Sequence, residues 1–329
     1  MADSTSEPGD EPAAAPAAGV EALHPGAGGT ELGLRLWPHP DPIAIVQVVH
    51  GLAEHCGRYA PLAAALNAAG YAVLAHDVRG HGLTASANGG FGHMADGDGW
   101  PLLVADVAAV RAAGAARWPG RPTILFGHSM GSVLALSALE AAPDAYAAAI
   151  FSGPPGLPPP AARAGLVLAR LEALRLGQRG RSVLLHGLSF GAYARAVPGA
   201  ATPFDWLSRD PQAVAAYLDD PWCGARVSVG SWTALVRGLV AATAVPAVAG
   251  LAEARTGPLP LLIVAGAEDP VGARGKAVQA LAARLGAAGM RQVELRLYPG
   301  ARHELLNEVN RSEVLSDLLA WLGRLDRRA

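Results

Sequence analysis

Thr123–Leu136 reads TILFGHSMGSVLAL. The apolar run TILF predicts a strand, and SVLALSALEAAPD predicts a helix. Ser129 stands between them, with Gly127 and Gly131 two residues to either side. A serine hydroxyl is a weak nucleophile at neutral pH and needs both exposure and a neighbouring base. A sharp strand-to-helix turn gives the exposure, and the paired glycines give the turn its room.

Gly-x-Ser-x-Gly recurs at Gly187, Ser189 and Gly191, so spacing alone does not decide between the two serines. Context does. SVLLH before Ser189 could form a strand, but Pro198, Gly199 and Pro203 follow soon after. Ser129 is expected to be the nucleophile and Ser189 a serine of a loop or of a local core.

Working outward, strand-like and helix-like runs alternate. IAIVQVVH (43–50), YAVLAHD (71–77), YAAAIFSG, LPLLIVAG (259–266) and RQVELRLYPG read as strands, with helical stretches between them. Alternation of this kind predicts an α/β fold, a mostly parallel sheet with helices on both faces. The rhythm breaks at the proline-rich PPGLPPPAA and resumes only near residue 251. The expected organisation is a flexible acidic tail over 1–25, a core formed by 26–153 and 251–329, and a helical cap inserted at 154–250.

The remaining partners are sought in the order serine, acid, histidine. Asp269 lies just past LPLLIVAG, where open α/β sheets gather functional groups; Glu268 is its neighbouring competitor. His303, in YPGARHELLNE, is the only histidine beyond residue 186. Asp269 is expected to orient the His303 imidazole, which serves as general base to Ser129. The oxyanion would be met by backbone N–H groups of Met130, after the nucleophile, and Leu52, in HGLAEH (50–55). His128 is expected to orient the elbow and His50 to shape its loop. An aspartate at position 129 would have suggested dehalogenase or epoxide hydrolase chemistry; a serine argues against both.

Composition narrows the partners. Of 329 residues, 51% are hydrophobic and 16% charged, which suits a buried core. A formal net charge of −2 with no basic block argues against nucleic acid. Cys56 and Cys223 lack metal-like spacing and read as lone thiols; no metal or cofactor is expected. The N-terminus lacks the pattern of a secretory signal, no run of about 18 apolar residues suggests a membrane span, and a cytoplasmic location is the simplest expectation.

With these residues placed, the motifs HGLAEHCGRY, AHDVRGHGLT, GHSMGS, GAEDPVG and YPGARHELLNE stand in order along the chain. In this the sequence resembles the monoacylglycerol lipase and bacterial lysophospholipase branch of the α/β-hydrolases, often grouped as serine aminopeptidases. The resemblance implies Ser129, Asp269 and His303 as the triad, with Leu52 and Met130 as oxyanion donors. It also implies that Glu54 and Arg58 hold a glycerol head group, against a purely loop-stabilising role for both. It departs at Leu306, where monoacylglycerol lipases tend to carry a second histidine. The expected activity is a serine carboxylester hydrolase acting on a single-chain lipid ester. The alternatives are an acyltransferase or peptidase using the same triad, or a non-catalytic acyl-binding member of the fold. Leucines 166, 168, 171, 174 and 176, with Val167, form either ordinary packing or a lid touching lipid in transient membrane-surface contact. The sequence leaves the oligomeric state open.

Overall fold

The structure is a computed structural model, and it describes residues 19–326. The chain runs β1 (Val20–Pro25), β2 (Glu31–Trp37), β3 (Ala44–Val49), α1 (Ala60–Ala68), β4 (Tyr71–His76), α2 (Gly82–Asn88), α3 (Trp100–Arg117), β5 (Thr123–His128), α4 (Met130–Ala141) and β6 (Ala148–Ser152). Six helices follow without a strand: α5 (Ala162–Leu176), α6 (Val183–Leu188), α7 (Phe190–Arg195), α8 (Pro211–Asp219), α9 (Val229–Ala242) and α10 (Val245–Ala254). The alternation then returns with β7 (Leu261–Gly266), α11 (Lys276–Ala287), β8 (Val293–Tyr298) and α12 (Arg311–Asp326).

The strands form one sheet in the order β1-β2-β4-β3-β5-β6-β7-β8. β1 and β2 pair antiparallel, as do β2 and β4; every other pairing is parallel. Strands β3 to β7 are buried along their whole length. Such strands must be apolar on both faces, which is why IAIVQVVH and LPLLIVAG show no alternation. On one face Val107, Leu134 and Leu285 bring α3, α4 and α11 against the sheet. On the other, Leu62, Leu66, Leu318 and Trp321 bring in α1 and α12. The α5–α10 insert adds a smaller core of its own around Phe190, Trp206, Tyr217 and Trp232, with α9 lying on α4 and α5 on α9.

Two expectations need correction. The tail predicted over residues 1–25 ends sooner: Val20–Pro25 is an edge strand paired to β2 over six residues, and residues 1–18 lie outside the described part. VEALHP buries almost nothing. Its order comes from the β2 ladder, so no hydrophobic pattern announced it. SVLLH is helical, not extended, because the Ser182 hydroxyl caps α6 by accepting the Leu185 N–H at 3.1 Å. Among the described residues, no single helix is long and apolar enough to cross a membrane.

β5 sits at the centre of the sheet and ends in the elbow, so its anchoring tests the architecture. Phe126 is 1% exposed and meets the Tyr59 ring edge-on at 6.1 Å. Phe126→Ala is predicted to cost about 3–5 kcal/mol. A urea melt monitored by tryptophan fluorescence would show this as a large drop in midpoint with little change in slope.

Candidate active site

The parallel strands end at one edge of the sheet, and the loops there collect the predicted residues. Ser129 sits between β5 and α4 at φ 51°, ψ −118°, a conformation that L residues rarely adopt. Its surroundings hold it there: its N–H donates to the Ser152 carbonyl at 3.0 Å, and the Ser132 hydroxyl donates to its carbonyl at 2.6 Å. The glycines have direct steric reasons. A Cβ on Gly131 would lie 2.0 Å from the Val49 carbonyl oxygen, and one on Gly127 would lie 2.4 Å from the Gly131 oxygen. These contacts are with backbone, so a side chain could not be accommodated by a rotamer change.

Asp269 follows β7 and His303 follows β8; both are buried. His303 Nδ1 donates to Asp269 Oδ2 at 2.9 Å, while Asp269 Oδ1 accepts the Val271 N–H at 2.9 Å. The competitor Glu268 is more than half exposed and pairs with Arg274. Burial opposes charging of His303, but the Asp269 carboxylate outweighs it and raises the imidazole above its ordinary range, helped by Glu304 and Glu54. The ring is flanked by Trp206 and His128, with centroids at 5.2 and 4.8 Å. His128 Nδ1 donates to the Ser152 carbonyl at 3.0 Å, and burial lowers its own pKa. His128 therefore stays neutral beside a ring that favours charge.

Ser129, His303, Leu52 and Met130 line one cavity. Among the described residues, neither the Leu52 nor the Met130 N–H has an acceptor within the protein. The neighbouring Gly51 N–H and carbonyl are both occupied. Glu54 Oε1 accepts the Gly51 N–H at 2.6 Å, and His50 Nδ1 donates to the Gly51 carbonyl at 2.7 Å. His50 thus shapes its loop, as the sequence suggested.

Glu54 and Arg58 belong to a buried ion network. Glu54 Oε2 meets Arg58 Nη1 at 2.8 Å, and Arg58 grips Glu304 through both nitrogens at 2.6 and 2.7 Å. Burial opposes ionisation of Glu304, but Arg58 prevails and holds it well below the usual carboxylate range. The loop-stabilising role is therefore realised in the contacts. Glu54 also lines the Ser129 cavity, whereas Arg58 lines a smaller polar recess beside it together with Leu306 and Asn307. Glu304 and the cap aromatics were not singled out from the sequence. Glu304 lies 246 residues from Arg58, and no local pattern joins them.

Much of the cavity wall is apolar: Phe190, Tyr193, Trp206, Trp232 and Leu235 come from the insert, and Val271 from the core. Ser189, the rival serine, lies elsewhere, between α6 and α7, its hydroxyl spent on the Leu185 and His186 carbonyls. The volume is about 60 Å³, well under the roughly 300 Å³ at which ligand pockets usually begin.

One cluster has metal-like residue types: His55, Asp220 and Cys223, with ligand atoms within 4.8 Å of one another. Its hydrogen bonds do not suit a cation. His55 Nδ1 accepts the Gly57 N–H at 3.2 Å, so Nε2 keeps its proton and donates to Asp220 at 2.8 Å. Burial pushes the Cys223 thiol far above its ordinary range, which leaves it protonated. Both cysteines are free.

Known proteins resemble this chain in sequence and in fold. A monoacylglycerol lipase of Mycolicibacterium smegmatis is 31% identical over 314 residues, covering 90% of this chain and 94% of the relative. The rat monoglyceride lipase is 29% identical, covering 90% and 88%. Among solved structures, a thermostable carboxyl esterase from Bacillus coagulans in complex with glycerol superposes with a TM-score of 0.85 at 27% identity, covering 93% of this chain and 98% of that one. The family model described as serine aminopeptidase, S33, matches residues 40–310. The chain is an α/β-hydrolase and belongs to the serine aminopeptidase S33 family.

Proposed function

We propose that this protein hydrolyses single-chain lipid esters, of the monoacylglycerol or lysophospholipid type, through an acyl-enzyme on Ser129. The observation that carries the reading is the buried Asp269–His303 pair opening onto the same cavity as a strained serine and two unpaired amide donors. His303 Nε2 takes the Ser129 proton as the oxygen attacks the acyl carbonyl. The carbonyl π electrons move to oxygen, and the Leu52 and Met130 N–H groups meet the resulting oxyanion. The intermediate collapses, the C–O bond to the alcohol breaks, and imidazolium returns the proton to the departing alkoxide. Water then attacks the acyl-enzyme by the same route, giving the fatty acid and free Ser129. Asp269 holds the tautomer and stabilises the imidazolium.

Residues 154–250 act as a cap in this reading. Its aromatic wall suits an acyl tail, while Glu54 and the recess beside it suit a small polar alcohol. The narrow cavity implies that the cap parts to admit the chain. The cap also presents a surface for transient contact with a membrane. Val167, Leu171 and Leu174 of α5 and Val183, Leu184 and Leu188 of α6 are exposed, Leu174 by 86%. The same segment, residues 162–195, carries six arginines against one glutamate. Exposed apolar side chains set among cations suit the lipid–water boundary.

Turnover of p-nitrophenyl esters, monoacylglycerol and lysophosphatidylcholine should fall by ~10⁴-fold or more in Ser129→Ala and stay unchanged in Ser189→Ala; turnover of a peptide amide with none of these esters would overturn the ester reading. Because the base form of His303 is required and its pKa is raised, kcat/KM should climb with pH and reach half its plateau above about 6.5. In Asp269→Asn the raising charge is gone and burial remains, so the rate falls and the acid limb moves to lower pH. Finally, Leu171→Ser with Leu174→Ser should reduce hydrolysis of vesicle-borne monoacylglycerol severalfold while leaving a short soluble ester unaffected; equal effects on both would argue against surface contact.

A further inference from the structure

The donor at Leu52 is only as good as the loop that aims it. Next to it, Ala53 holds φ 60°, a left-handed conformation without the freedom of glycine. Left unrestrained, this residue would relax and rotate the peptide groups on either side of Ala53, the first of which joins it to Leu52 and so sets where the Leu52 backbone can lie. Its two polar groups are pinned from opposite directions. The Ala53 N–H donates to His81 Nε2 at 3.0 Å, and His81 Nδ1 donates to the Arg79 carbonyl at 2.9 Å, which fixes the ring as an acceptor. The Ala53 carbonyl accepts from Tyr217 Oη at 2.8 Å and from the Gly224 N–H at 2.9 Å. The Tyr217 oxygen also accepts from Gly224 N–H at 3.0 Å.

Tyr217 lies in the last turn of α8 in the insert, 164 residues from Ala53. Its ring is 3% exposed and lies under the Arg58 guanidinium at 4.9 Å. The same arm is fastened again at His55, through Asp220 and an edge-on contact with Trp222 at 5.2 Å. The insert therefore supplies one of the clamps on the loop that carries the unpaired Leu52 amide.

We infer that Tyr217 is a positioning residue for the oxyanion hole: its hydroxyl holds the Ala53 carbonyl so that the Leu52 N–H points into the cavity before substrate arrives. This deepens the proposed function and rests on Leu52 as an oxyanion donor. Preorganised donors contribute because they need no reorientation as charge develops. Tyr217 would thus act on the transition state without contributing a proton or a contact to the reacting atoms.

Tyr217→Phe removes the hydroxyl and keeps the ring. The wild type is first checked for ester turnover and for fluorophosphonate labelling of Ser129. The variant is then measured for kcat, KM and affinity for an alkylboronic acid, whose tetrahedral adduct on serine mimics the intermediate. Loss of one such hydrogen bond should lower kcat about fivefold. Boronate affinity should drop by the same factor, with KM within about twofold. A purely structural tyrosine would lower the melting temperature without this matched pair of losses. Unchanged kcat and boronate affinity, or a change confined to KM, overturns the inference while leaving the Ser129 mechanism intact. Failure of the wild type in both preliminary checks overturns the proposed function itself.

Discussion

The site depends on how closely the backbone of α4 approaches the end of β3. With the Gly131 Cα under the Val49 and His50 carbonyls, no side chain fits at residue 131, and the chain must turn through a left-handed residue at Ser129. This contact places the serine beside the HGLAEH loop. It also puts Met130, at the start of α4, on the wall of the same cavity as Leu52. Strain of about 1–3 kcal/mol at such a residue persists only when the packing around it is over-determined, and the buried central strands supply that.

Around this turn the protein separates groups that must stay neutral from groups that must hold charge. His50 and His81 each use one ring nitrogen as an acceptor for a backbone N–H, Val78 and Ala53 respectively. Burial lowers the pKa of both, so they remain neutral and keep those bonds. His303 is equally enclosed, yet the Asp269 carboxylate reverses the outcome. Arg58 lies between Glu54 and Glu304, giving a network with one more negative than positive group beside the imidazole. The field there favours an imidazolium when it forms.

Much of this could be read from the residues themselves. The elbow, the acid after β7 and the histidine after β8 carry local signals, because each depends on a strand end and a turn. Legibility failed where order is borrowed from a distant partner. Val20–Pro25 looks like tail because its stability comes from β2. SVLLH has strand composition, and a single capping hydroxyl at Ser182 makes it helix. Glu304 stood in plain view next to His303, but its meaning depends on Arg58, far away in sequence. Tyr217 gives no sign that its hydroxyl reaches the Ala53 carbonyl of the HGLAEH loop. The α5 leucines could have been core or surface by periodicity alone. In the fold they divide: Leu168 and Leu176 pack against the insert's core, while Leu171 and Leu174, with Val167, are exposed.

In the proposed mechanism Ser129 alone is made reactive, by the His303–Asp269 pair. The most direct test is peptide-mapped mass spectrometry after exposure to a fluorophosphonate, following the rate of adduct formation across pH in the wild type and in Asp269→Asn. The expected result is one adduct, on the peptide bearing Ser129, forming faster as His303 loses its proton and much more slowly without the carboxylate. An adduct on Ser189, or labelling of Ser129 that ignores both pH and Asp269, would contradict it.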